Sequence, residues 1–150
     1  RQIMSGITLV VEDKGWRKRR GIQSRLKQAA QVAARAARLK GEVTLLLAGD
    51  TRLRALNRAF RGQDKATNVL SFPGDEGGDI AIALGVTARE AKAQGKPFAD
   101  HAIHLAVHGV LHLAGYDHAR PRDARLMEPL EVKILKRLGI ADPYVPGAAK

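Results

Sequence analysis

His108-Gly109-Val110-Leu111-His112-Leu113-Ala114-Gly115-Tyr116-Asp117-His118 is the stretch that decides how this chain is read. His108 and His112 stand four apart, which on a helix places both imidazoles on one face, one turn apart. Val110, Leu111 and Leu113 can turn toward a core. Gly115 can take the left-handed conformation that stops a helix. His118 then returns three residues later from a different direction. Two imidazoles from a helix and one from the following turn cap three corners of a tetrahedron. The fourth corner stays open, as in catalytic rather than structural zinc sites.

This makes Phe98 to Ala114 the central helix. It is apolar nearly all round (Ile103, Leu105, Ala106, Val107, Val110, Leu111, Leu113), so it should be buried. His101 and His104 share the stripe of His108 and His112. Only two of the four can join His118 without crowding, and the turn that returns His118 follows His112 directly. His104, one turn before His108, is either a satisfied core histidine or placed to contact substrate or to hydrogen-bond beside the site. His101, near the helix start, should be half exposed. Three neutral imidazoles suit zinc, and also other divalent transition metals. The spacing is similar to the long zinc signature of metzincin proteases, with Gly109 where that signature has its Glu base. A metalloprotease is therefore an alternative that lacks its base. Zinc on such a trio brings the pKa of water toward neutrality, chemistry that can start phosphodiester cleavage without the Glu.

Outward from this helix, the charge is segregated. Residues 1–61 hold 15 Lys and Arg against 4 Asp and Glu, while residues 62–150 hold 11 of each, so the net +11 sits in the half without the histidines. A segregated basic surface fits a polyanionic partner. The absence of cysteine excludes disulfides and thiolate ligands and fits a cytoplasmic protein. No run of eighteen apolar residues exists to span a membrane. The start, Arg1-Gln2-Ile3-Met4, lacks an apolar segment of signal-peptide length and reads as a trimmed start.

The length predicts one domain, residues 1–150, with 143–150 as a loose tail. Expected strands are Ile7 to Val11, Glu42 to Ala48, Val69 to Phe72 and Asp79 to Leu84, the last two forming a hairpin. Leu45-Leu46-Leu47 suggests burial on both faces of the second strand. Residues 12–20 read as a polar loop, with Trp16 covering the core edge or stacking on a base. Besides the central helix, helices are expected at Gly21 to Leu39, Thr51 to Phe60, Thr87 to Gln94 and Asp123 to Leu138. Asp50 should cap the second of these, with Leu53, Leu56 and Phe60 buried. Leu126, Leu130, Ile134, Leu135 and Leu138 should be the inward stripe of the last. The fold class is α+β: a small mixed four-stranded sheet packed with about five helices, the central one carrying the metal-binding histidines.

Arg61-Gly62-x-Asp64-Lys65-Ala66-Thr67-Asn68-Val69-Leu70-Ser71-Phe72 and Gly78-Asp79-Ile80 stand upstream of the histidine stretch. Together these segments resemble the YbeY family of bacterial rRNA maturation factors, over about Val43 to Tyr144. The resemblance implies a metal-dependent, single-strand-specific endoribonuclease acting in 16S rRNA 3′-end maturation and ribosome quality control. It implies zinc ligands at His108, His112 and His118 and a functional arginine at Arg61. The partners implied are single-stranded RNA or rRNA and the ribosome or a ribosomal protein. One position departs: the family usually has Asp where this chain has Asn68. An arginine at the head of this loop suits developing phosphate charge, since its guanidinium forks onto two oxygens. Lys65 is a candidate second phosphate contact, and Asp117 could orient a metal-bound histidine or cap its own turn. A non-catalytic RNA- or ribosome-binding factor with a structural metal is the other alternative. It requires a fourth protein ligand, from His104 or Asp117.

Overall fold

The computed structural model describes residues 6–116 and 121–144. β1 (Ile7–Val11), β2 (Val43–Ala48), β3 (Val69–Pro73) and β4 (Gly78–Ala83) form one sheet in the order β1-β2-β4-β3. β1 runs parallel to β2 and β2 parallel to β4, while β3 and β4 pair antiparallel as a hairpin. Around it lie α1 (Ile22–Ala36), α2 (Asp50–Arg61), α3 (Leu84–Gln94), α4 (Phe98–Leu113) and α5 (Pro121–Arg137). The α+β expectation with a mixed four-stranded sheet holds.

Strand alternation divides the core. Val43, Leu45 and Leu47 of β2 and Ile80 and Ile82 of β4 face a large cluster built with α1, α4 and α5. Ala48, Ala81, Ala83 and Leu70 face the other way, onto Leu53 of α2. The unbroken apolar run of β2 thus serves both faces. β3 is an edge strand, and its alternation puts Leu70 and Phe72 toward α2 and Val69 and Ser71 toward α4.

Several local expectations change for physical reasons. Residues Lys14–Lys18 form a short 3-10 turn, capped by Asp13 Oδ1 accepting from the Gly15 N–H at 2.8 Å. Trp16 in that turn is 0% exposed, and its indole N–H donates to Ala48 O at 2.9 Å. Its ring has no free face for a base. Asp50 does not cap α2, whose N-cap position is Gly49. Its carboxylate instead accepts from the Val86 N–H and from Arg89, both at 2.9 Å, in the first turn of α3 and just beyond it. That is why α3 begins three residues before the expected Thr87. Phe60 is 68% exposed rather than buried, resting edge-on against Phe72 at 5.2 Å. In α5 the buried stripe is turned by one residue. Met127, Glu131, Ile134 and Leu135 point inward, and Leu126 is 57% exposed.

α4 is buried as expected and lies close over the sheet. A Cβ on Gly109 would sit 2.9 Å from Ile80 Cγ2 and 3.2 Å from Ser71 Oγ. The Ser71 hydroxyl donates to the Gly109 carbonyl at 3.1 Å. Only glycine permits this approach. Gly115, with φ of 103°, ends the helical segment as its sequence position predicts.

Candidate metal centre

One side of α4, beside edge strand β3, carries His101, His104, His108 and His112, and it forms one wall of a cleft of about 960 Å³. The facing walls come from the loop between α2 and β3, from the end of α3, and from Pro143 and Tyr144.

His108 and His112 are brought together as their spacing predicts. Their Nε2 atoms lie 2.9 Å apart, and their rings cross at 73° with centroids 4.5 Å apart. His108 Nδ1 lies 2.8 Å from Glu131 Oε2, on α5. A carboxylate accepts the Nδ1–H and so fixes the tautomer that leaves a lone pair on Nε2. This is the outer half of a carboxylate–histidine–metal arrangement. His118 and Asp117 lie outside the described residues.

Glu131 was not legible as a site residue. It is 0% exposed, and it receives hydrogen bonds from His108 and from the Tyr144 hydroxyl, with His104 Nε2 3.3 Å away. Burial pushes its carboxyl up, but His104 and His108, joined by Tyr144, outweigh burial and hold it well below the usual carboxylate range. Burial and the Glu131 carboxylate push the Tyr144 hydroxyl far above its ordinary value. Tyr144, placed by expectation in a loose tail, therefore docks on the centre. A signal existed: Glu131 falls on the stripe of Met127, Ile134 and Leu135, and a carboxylate at a core position requires partners.

His104 points into the same space. Both its ring nitrogens are buried without a hydrogen-bond partner, the 3.3 Å approach to Glu131 lacking hydrogen-bond alignment. His104, His108 and Glu131 can together offer three donor atoms within 4.8 Å of one another, a group able to hold a metal ion. His101 is buried, not half exposed, and its Nε2–H donates to Glu90 Oε1 at 2.8 Å. Burial lowers its pKa, with Glu90 opposing. Asn68 donates to the same Glu90 oxygen at 3.0 Å. An amide can do this where a second carboxylate would repel.

Arg61 is exposed at the cleft and donates from Nη2 to Ser71 O at 3.2 Å, on the free edge of β3. Its remaining N–H groups are available to a ligand. Lys65 also lines the cleft, its backbone held by Asn57 donating to Lys65 O at 3.0 Å. Asp64 is turned away into an exposed pair with Arg54 at 2.8 Å. The position equivalent to the protease base, Gly109, points at the sheet, where Ile80 and Ser71 leave no room for a side chain.

Among the described residues no helix is long and apolar enough to cross a membrane. The family profile described as Endoribonuclease YbeY matches residues 11–139. The chain is 43% identical to Endoribonuclease YbeY of Maricaulis maris, over 94% of this chain and 92% of that one. It is 49% identical to the protein of the same name from Bordetella pertussis, over 87% and 86%. The solution structure of TM1509 from Thermotoga maritima superposes with a TM-score of 0.63 at 25% identity, covering 93% of this chain and 99% of that one.

Proposed function

The chain belongs to the YbeY endoribonuclease family, and on that premise we propose that it is a metal-dependent endoribonuclease that cuts single-stranded RNA in the cytoplasm. Its substrate is rRNA, at the 3′ end of the 16S species, presented by the ribosome or a ribosomal protein. Residues 1–150 act as one catalytic domain.

The observation that carries the metal reading is the His108–His112 pair. Two imidazole nitrogens on one tetrahedral zinc stand about 3.3 Å apart, from Zn–N bonds of roughly 2.0–2.1 Å. The Nε2 atoms are 2.9 Å apart, with His108 already turned and its Nδ1 occupied by Glu131. The donor set fits zinc, with His118 as third ligand. A zinc ion there would supply a Lewis acid for a phosphoryl oxygen and acidify water. The chain's own residues do the rest. Arg61, tethered at Ser71 O, turns its free N–H groups to the phosphate as charge builds. Lys65 holds a neighbouring phosphate as a point charge. Glu131 and Tyr144 keep His108 in one orientation, and His104 borders the substrate.

The His104, His108 and Glu131 group supports a second arrangement, with the metal on the Nδ1 side of His108. Metal content separates the two. In the first, His112→Ala loses the ion and Glu131→Gln weakens it by about ten- to a hundredfold. In the second, Glu131→Gln abolishes binding and His112→Ala is harmless.

Activity is tested on a single-stranded RNA and its matched duplex, with and without chelator. Wild type should cut only the single strand. His112→Ala and chelation should each lower cleavage by more than about a hundredfold, beyond the loss from an outer partner. Arg61→Glu should keep its metal and lose cleavage. Undiminished cleavage under chelation would sink the proposal, whereas undiminished cleavage by His112→Ala alone would place the metal on the Nδ1 side of His108.

A further inference from the structure

Much of the excess positive charge is used by nothing in the cleft. Arg17, Lys18, Arg19 and Arg20 are exposed at the end of the 3-10 turn, and Lys27 continues along the outer face of α1. Nearby carboxylates are engaged. Glu12 pairs with Arg52 at 2.8 Å, Asp100 with Arg25 at 4.0 Å, and Asp13 caps Gly15. Among the described residues no carboxylate lies within ion-pair distance of Arg17, Lys18, Arg20 or Lys27.

This ridge meets the cleft at the start of α4. Lys96 lines the cleft. Two residues on, the Phe98 ring carries the Arg19 guanidinium at 3.9 Å from its centroid and packs against Trp16 at 5.5 Å. Two residues of chain span at most about 7 Å, so Lys96 and the foot of the ridge are neighbours. Buried Trp16 fixes the turn that bears the ridge, so its side chains spring from a set stretch of backbone rather than a loose arm.

From this placement we infer that the Arg17–Arg20 ridge is a second RNA-binding surface, along which the sugar–phosphate backbone of a strand held in the cleft continues over Lys96. The inference rests on the endoribonuclease reading for what occupies the cleft. With Trp16 buried, the ridge offers guanidinium and ammonium groups and no free aromatic ring of its own. It therefore holds phosphate without reading sequence, and it acts only on strands longer than the cleft.

The test uses labelled oligouridylates of two lengths, one no longer than the cleft and one extending well beyond it, titrated in rising salt. Wild type should bind the long strand with the steeper salt dependence. Arg17→Ala with Arg20→Ala should make that slope shallower by about 1.4, two phosphate contacts at ~0.7 each on a single strand. Binding and cleavage of the short strand should stay unchanged. Arg17→Lys with Arg20→Lys should keep the slope, since lysine serves a phosphate as a point charge. Equal loss on both strands, or no loss on either, overturns the ridge. A wild type that binds the long strand with this slope and cuts no RNA leaves the ridge standing and overturns the endoribonuclease reading. One that binds neither strand overturns both.

Discussion

α4 has two faces with different logic. The sheet face is specified by volume: Gly109 lies against Ile80 and Ser71 with no room for a Cβ. The cleft face is specified by partners. His101 is held by Glu90 of α3, and His108 by Glu131 of α5, which Tyr144 also reaches. One face needs the right shape from its own helix. The other needs hydrogen-bonding groups delivered by three other parts of the chain. Apolar contact is non-directional, whereas a buried polar atom must meet a partner at a set distance and angle.

The largest effect should come from stripping the cleft face of its main partner. Glu131→Ala removes the charged acceptor of the part-buried His108 Nδ1–H and of the more exposed Tyr144 hydroxyl, and a hydrogen bond to a charged group is worth about 1.5–3 kcal/mol. A total near 3 kcal/mol in chemical denaturation is expected, with a smaller loss for Glu131→Gln. A loss below that of an exposed substitution would mean that Glu131 does not organise this face.

Gly109→Ala attacks the other face. Overpacking of this kind costs about 1–3 kcal/mol, so about 2 kcal/mol should be lost as α4 lifts from β4. Because the methyl faces the sheet, metal content should stay near wild type. Loss of metal with stability intact would show that the two faces are not separable.

The third difference is acid sensitivity. Burial lowers the His101 pKa in the folded chain. As pH falls through about 6.5, the unfolded chain takes up the proton first. The stability held with His101 neutral is complete above that value and is lost as pH falls toward the lower folded value. His101→Gln should therefore show a smaller drop in Tm between pH 8 and pH 5 than wild type. An equal drop would place the acid sensitivity elsewhere.

The smallest effect should be at Arg54, whose pair with Asp64 is close but exposed on both sides. Arg54→Ala should leave Tm unchanged within error, since such pairs are screened by solvent. A clear fall in Tm would break the rule that partners matter on this protein only where they are buried.

What the sequence determined by itself was local or periodic. The four strands and five helices of the described residues, the buried α4 and the meeting of His108 with His112 follow from alternation, helical repeat and a glycine stop. Those signals sit within a few residues of one another. Tertiary structure decided what depends on distant chain. Asp50 caps a helix thirty-odd residues away rather than its own. Phe60 shares the Leu53 side of α2 but lies in its last turn, at the edge strand β3, where its ring meets Phe72 and stays 68% exposed. Glu131, Glu90 and Tyr144 become parts of the histidine face only once α5, α3 and the segment after α5 close around α4. A periodic pattern shows which side of an element is buried. It does not show which groups meet there, because that depends on how separate elements are placed in space.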